Sequence, residues 1–205
     1  QVLACTPKAA EHIREDEART DHYEDIIGSY LVKLSARKIG ETDSALAAEY
    51  LRLIGDFERI ADHSVNILES AEELKNKGIS FSPAARQEYQ IMSAAVQEVT
   101  GLAYTAFVTG DIGAARRIEP LEQVIDDLKE ELRTRHIRRM QQGTCGIEAG
   151  FIWSDLLTDL ERVSDHCSNI ACCMIEGIDR SLRRHEVLQS IRGSGEAFDQ
   201  TYRFF

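Results

Sequence analysis

Three prolines in 205 residues, an odd count of five cysteines and a shortage of basic side chains set the first bounds on this chain. So few prolines leave long helices uninterrupted, and with almost no β-branched alternation and 43% apolar residues the composition favours an all-α protein. Cys172 and Cys173 are adjacent and no C-x-x-C pair occurs, which argues against a disulfide framework or a zinc ribbon and for a reducing compartment. Cys167 reads as a small buried side chain. With 24 Lys and Arg against 35 Asp and Glu, the net charge of −11 lacks the basic surplus that nucleic acid or anionic lipid requires. No stretch is expected to reach the eighteen to twenty apolar residues of a membrane span, and no signal peptide is visible. A glycine-rich phosphate cradle is also missing.

What the chain does have is a stretch written twice. Asp56-Phe-Glu-Arg-Ile-Ala-Asp-His-Ser-Val-Asn-Ile67 returns 103 residues later as Asp159-Leu-Glu-Arg-Val-Ser-Asp-His-Cys-Ser-Asn-Ile170. Seven of the twelve positions are identical, and six of the seven are polar: Asp56/Asp159, Glu58/Glu161, Arg59/Arg162, Asp62/Asp165, His63/His166 and Asn66/Asn169. Packing holds apolar positions and lets polar ones drift, so a core requirement explains this match poorly. Leu53, Phe57, Ile60 and Ile67 in one copy, and Leu156, Leu160, Val163 and Ile170 in the other, recur at helical spacing. On such a helix Glu58, Asp62 and Asn66, like Glu161, Asp165 and Asn169, form a polar file bordering the apolar stripe.

Upstream of each copy lies a second carboxylate pair at i, i+4: Glu17 and Asp21 before the first, Glu122 and Asp126 before the second. If each helix pair folds back antiparallel, four acids converge in each repeat. Two like charges about 4 Å apart repel by roughly 4 kcal/mol at an effective dielectric near 20. Four such groups need protons or cations between them, and oxygen-rich sites suit iron, manganese or magnesium. The competing reading of any one pair is a solvated acidic face. Arg59 and Arg162 are expected to pair with neighbouring carboxylates, and His63 and His166 to lie at the edge of a cluster or bond a backbone carbonyl.

In chain order, Thr6-Pro7 opens a helix that carries Glu17 and Asp21 and runs to about Ala36. Gly40, Thr42 and Asp43 mark a turn and a new start, and the next helix runs through the first motif to about Lys77. The boundary between repeats falls at Gly78 to Pro83, with Ser82 as cap. A helix follows to Val108, then one from Asp111 to about Gln142 in which Pro120 is expected to introduce a kink. The last motif helix is expected over Ile147 to about Ile178. The divisions are 1–80 as repeat 1, 81–180 as repeat 2 and 181–205 as a helical tail with a break at Gly193-Ser-Gly195 and the aromatics Phe198, Tyr202, Phe204 and Phe205. The first repeat lacks most of an opening helix and the chain starts with Gln, which suggests a domain cut from a longer protein.

The doubled Glu-Arg-Ile/Val-x-Asp-His-x-x-Asn-Ile, each copy preceded by Glu-x-x-x-Asp, resembles the PhoU family of phosphate-uptake regulators. That resemblance implies two tandem antiparallel three-helix bundles holding multinuclear metal clusters, iron first, with manganese, zinc or magnesium as alternatives. It implies Glu17, Asp21, Glu58 and Asp62 as ligands of one site and Glu122, Asp126, Glu161 and Asp165 of the other, with Asp56, His63, Asn66, Asp159, His166 and Asn169 in support. The opening Thr6-Pro7, the segment Tyr30 to Ser35, and His185 with Phe198 and Tyr202 look like the cytoplasmic part of bacterial sodium/phosphate cotransporter-related proteins. A membrane phosphate transporter, in cis or in trans, would then be the partner, phosphate a possible ligand, the inner face of the membrane the location, and a homo-oligomer the expected assembly. A free-standing PhoU regulator is the first alternative. A di-iron enzyme is a second, although neither copy has the Glu-x-x-His such bundles use. A metal-free acidic scaffold is the third.

Overall fold

The computed structural model describes residues 6–37 and 39–193, with side chains as far as Gly177. The described residues form six helices: α1 (Pro7–Ser35), α2 (Glu41–Asn76), α3 (Pro83–Thr109), α4 (Ile112–Ala115), α5 (Ile118–Gln141) and α6 (Ile147–Gly193). The starts follow the local chemistry. Thr6 and Ser82 accept hydrogen bonds from the backbone N–H groups of Ala9 and Ala85 at 3.3 and 3.2 Å, each just before a proline that has no N–H to lose. Asp111 does the same for Ala114 at 3.1 Å. At Gly40 no side chain caps α2, and Glu41 and Asp43 instead place negative charge in its first turn, where the helix dipole favours it. Gly110 stops α3 with φ of 71°, a left-handed conformation that side chains with a Cβ disfavour.

The two longest helices form the spine. α2 with 36 residues and α6 with 47 extend about 54 and 70 Å at 1.5 Å per residue. They run antiparallel, with Leu53 of α2 and Ile170 and Cys173 of α6 buried between them and Phe57, Ile60 and Met174 packed around. α1 folds back along α2: Arg14 reaches Glu72 at 2.7 Å, and Gly28 lies opposite Ile54. On the other side α3 and α5 pack on α6 as an up-down-up three-helix bundle. Its core gathers Met92, Val99, Ile118, Ile125, Leu132, Trp153, Leu156 and Leu157, all at most 2% exposed. Phe57 meets Phe107 edge to face at 4.8 Å, tying the end of α3 to the first half. The first half is thinner. On α1 only Ala10 and Leu31 are buried, while Tyr23, Ile26, Ile27 and Tyr30 stand exposed.

Three expectations are corrected. Pro120 does not kink a helix through the second motif, because the chain breaks at Arg116-Arg117 and Pro120 falls in the first turn of α5, where its missing donor costs nothing. The last helix does not stop at Ile178 but runs to Gly193, since residues 178–192 contain neither proline nor glycine. Finally, α3 is apolar and long enough to cross a membrane by length and composition. One face of α3 belongs to the second bundle's core all the same, and its buried Glu88 is ion-paired to Arg139 at 2.7 Å. The tail aromatics Phe198, Tyr202, Phe204 and Phe205, and the Gly193 to Gly195 break, lie outside the described residues.

Candidate functional site

The doubled motif has two jobs, on two sides of each spine helix. Where α2 crosses α6, each copy's residues bond those of the other copy. His63 Nδ1 donates to Asp159 Oδ1 at 2.9 Å and Asn66 Nδ2 to the same oxygen at 3.4 Å. In mirror fashion His166 Nδ1 donates to Asp56 Oδ1 at 2.9 Å and Asn169 Nδ2 to that oxygen at 3.2 Å. The two imidazoles stack between these clamps, centroids 5.8 Å apart and planes 23° from parallel. This reciprocity accounts for three of the polar identities: whatever changes in one copy must suit the other, as across a two-fold interface. The donors are aimed at aspartates, not at backbone carbonyls or at the carboxylate files.

Glu58 and Asp62 point to the other side, toward α1. Glu58 is half-buried, and its carboxyl is raised above the ordinary value by burial first, then by the charge of Asp62, a hydrogen bond shared with it, and the charge of Glu24; Arg59 opposes the shift. The acid that α1 contributes beside Glu58 is therefore Glu24, which the sequence reading missed. Glu24 lies seven residues after Glu17 and three after Asp21, on the same inward stripe, and that spacing is the signal that could have found it. The register between Arg14–Glu72 and Gly28–Ile54 puts Asp21 level with Asp62 but exposed, and Glu17 farther along, near Leu68.

In the second half Glu122, Asp126 and Asp165 do come together. Burial raises the Glu122 carboxyl most, followed by the charges of Glu119, Asp126 and Asp165 and a hydrogen bond with Asp165. Arg162 holds Asp165 from the side at 3.2 Å, as expected of that arginine. Glu161 is different: it is buried and ion-paired with Lys129 of α5 at 2.9 Å. Counted from the Glu-x-x-x-Asp pairs, Lys129 occupies the position that Glu24 holds in the first repeat. One half thus sets three acids against each other where the other supplies its own ammonium.

In the first half Glu24, Glu58 and Asp62 offer only oxygens, the donor type a hard cation takes. It fits poorly around Glu161, whose charge Lys129 neutralises. Among the described residues no group of three or more His, Cys, Asp or Glu is drawn tightly enough to enclose an ion in this conformation.

Two clefts flank the clamp, again related by the doubling. One, of about 350 Å³, is lined by Asn66, Glu69, Ser70, Glu73, Asp155, Thr158 and Asp159. The other, of about 580 Å³, places Asn169, Cys172, Cys173, Glu176, Arg52, Gly55 and Asp56 at the matching positions, with Leu51 and Arg59 beside them. The first is lined by four acids and no base, whereas the second sets Arg52, Arg59, Cys172 and Cys173 beside Asp56 and Glu176.

Comparison with known proteins follows this two-part plan. The PhoU domain matches residues 4–71 and 89–174, one segment in each half. This chain belongs to the PhoU family. Among curated PhoU relatives, the phosphate-specific transport system accessory protein PhoU homolog 1 of Thermotoga maritima is 30% identical over 149 residues, 73% of this chain and 63% of that protein. The PhoU homolog of Deinococcus radiodurans is 24% identical over 131 residues, 63% of this chain and 59% of its own length. The chain thus spans about six tenths of the length of these relatives. The crystal structure of PhoU from Pseudomonas aeruginosa superposes with a TM-score of 0.76 at 24% identity, covering 84% of this chain and 82% of that one. The phosphate transport system regulatory protein PhoU of Streptococcus pneumoniae gives 0.69 at 19% identity, with coverages of 83% and 79%. These likenesses bear out the all-helical PhoU fold with its doubled plan.

Proposed function

We propose that this PhoU chain is a non-enzymatic regulator of a membrane phosphate transporter, acting from the cytoplasmic face as a separate accessory polypeptide. The names of its curated relatives support that reading over a cytoplasmic part of a sodium/phosphate cotransporter-related protein. The observation that carries the mechanism is the frustrated acid set Glu24, Glu58 and Asp62, placed where the thinly packed α1 meets α2. Glu17 and Asp21, which the structure places farther along α1 and in solvent, would join as oxygen donors only if α1 shifted along α2. A hard cation, iron before manganese, zinc or magnesium, would supply the positive charge these groups lack. The chain's own residues do the rest: they draw α1 onto α2 and so couple cation occupancy to the shape of the first half. Direct phosphate contact and self-association are part of the same proposal. In the second half the Lys129–Glu161 pair favours a metal-free reading of that site, even though Glu122, Asp126 and Asp165 remain oxygen donors there.

The test is elemental analysis of protein purified without chelator, with melting followed after adding iron(II), manganese(II) or zinc(II). Wild-type protein should carry or accept metal and melt higher with it, and Glu58→Gln with Asp62→Asn should abolish the rise. Protein free of transition metal whose melting ignores all three ions would leave the acidic scaffold as the better account. Phosphate uptake in cells expressing this variant in place of the wild type then tests the link to transport.

A further inference from the structure

The two halves differ most where a third helix is due. In the second half α3 lies against both α5 and α6, whereas among the described residues α1 packs on α2 and on no other helix. The doubling identifies the positions left uncovered. Counted from the Glu17/Glu122 and Asp56/Asp159 matches, Ile27, Leu46 and Tyr50 correspond to Leu132, Ala149 and Trp153, and Tyr23 to Leu128. Leu132, Ala149 and Trp153 share one core with the inner face of α3 and are at most 6% exposed. Their first-half counterparts are 40 to 45% exposed, and Tyr23 is 57% exposed. An apolar groove between α1 and α2 thus stands open where the second half holds a helix.

The exposed side of α1 matches a second copy of itself. Asp16, Tyr23, Ile26, Ile27, Tyr30 and Arg37, the last just past the helix end, are all exposed and recur at intervals of three, four and seven, which puts them on one side. Their order is symmetric about the Ile26–Ile27 bond. Laid antiparallel on a second α1 in that register, the helix sets Ile26 against Ile27, Tyr23 against Tyr30 and Asp16 against Arg37, each twice over. Asp16 also meets Arg19 of its own helix, but Arg19 and Lys33 fall opposite Leu34 and Thr20, so no like charges face each other. A two-fold axis makes the second α1 antiparallel to the first, the sense in which α3 runs beside α5. Polarity agrees as well. The second half anchors α3 through Glu88, which pairs with Arg139 at 2.7 Å and lies 3.8 Å from Arg135, whereas the matching first-half positions are Leu34 and Tyr30 and call for apolar side chains instead. An unrelated helix in the groove would leave the self-symmetry of α1 without a cause.

We propose that the open face of α1 and α2 is the interface of a two-fold homodimer, in which α1 of each copy takes the place in the other that α3 holds in the second half. Each α1, held on one side by its own α2, is then clasped on the other by the partner's α1 and α2. The pairing rests on the self-association included in the proposed function and gives it a face and a symmetry.

The experiment is analytical ultracentrifugation of the reduced, full chain over a range of concentrations, with chelator and again with manganese(II). Wild type should show a reversible equilibrium between monomer and dimer and no larger species, since a two-fold interface closes on itself. Ile26→Lys sets two ammonium groups together at the axis and should weaken the dimer about a hundredfold or more, and because Ile26 is half-exposed in the single chain the variant keeps its fold. Asp16→Arg and Arg37→Asp should each weaken it about fivefold or more, and the two together should restore it to within about twofold of wild type. Ile91→Lys, on the exposed side of α3, should change nothing. A dimer indifferent to Ile26→Lys, one broken by Ile91→Lys, or a double charge swap weaker than either single would each overturn the assignment. So would a chain that stays monomeric at every concentration, which would give the groove to a helix from another protein. If that monomer still melts higher with manganese(II), the pairing alone falls and the regulatory reading stands; a dimer that ignores the metal supports the pairing and counts against the cation.

Discussion

Removing Asp56 puts the reciprocal clamp to a quantitative test. One of its oxygens receives both His166 Nδ1 at 2.9 Å and Asn169 Nδ2 at 3.2 Å, and the carboxylate and imidazole side chains are only 16% and 13% exposed. Hydrogen bonds to a charged group contribute about 1.5 to 3 kcal/mol, and a part-buried donor left without a partner costs its desolvation as well. Asp56→Ala should therefore destabilise by about 2 to 3 kcal/mol, which for a chain of this size lowers Tm by roughly 4 to 9 °C. Asp159→Ala should match it, because His63 and Asn66 bond Asp159 in the same way. The decisive assay is a double-mutant cycle in urea at neutral pH. Asp56→Ala with His166→Ala should show a coupling of about 1.5 kcal/mol or more, whereas Asp56→Ala with Arg14→Ala, an ion-pair residue of α1 at the far end of α2, should add within about 0.5 kcal/mol. If the two cycles give the same small coupling, the identity of these residues between copies has some other cause.

The carboxylate files give two further predictions. Since the folded Glu58 carboxyl lies above its ordinary value of 4.5, the stability linked to it is complete below that pH and is lost as pH rises through the folded value. Glu58→Gln should accordingly raise Tm at pH 7 without added metal, with the advantage shrinking toward pH 4; an unchanged or lower Tm at pH 7 would show that the carboxylates do not oppose one another. In the second half, Lys129→Met would strand the buried Glu161 and should cost about 3 to 5 kcal/mol. Lys129→Glu, which copies the Glu24 position of the first repeat, should be rescued by added divalent metal where Lys129→Met is not, as read by thermal melting.

The halves are identical at the clamp they share and at the Glu58/Glu161 and Asp62/Asp165 positions, and differ at the outer-helix residues that meet those acids. Asp, His and Asn of the motif face the opposite copy, so a change on one side is punished on the other. Glu24 and Lys129, on outer helices that meet only their own half, were free to diverge. The clefts tell the same story, with Asp155 matched by Arg52 and Glu69 by Cys172.

The sequence by itself determined the helices and most of their ends, because helical periodicity and capping at Thr6, Ser82 and Asp111 are decided within a few residues. It also exposed the doubling, and through it the family. Pro120 was misplaced because a proline reads alike inside a helix and in a first turn until the break before it is known. Only tertiary structure decided which way each polar residue faces. His63 and Asp159 are 96 residues apart, and no local rule says that one copy's donor will find the other copy's acceptor. The same holds for Glu24 entering the first acid set and Lys129 the second, since the register of one helix along another is fixed by the packing of whole apolar faces rather than by the charged positions themselves.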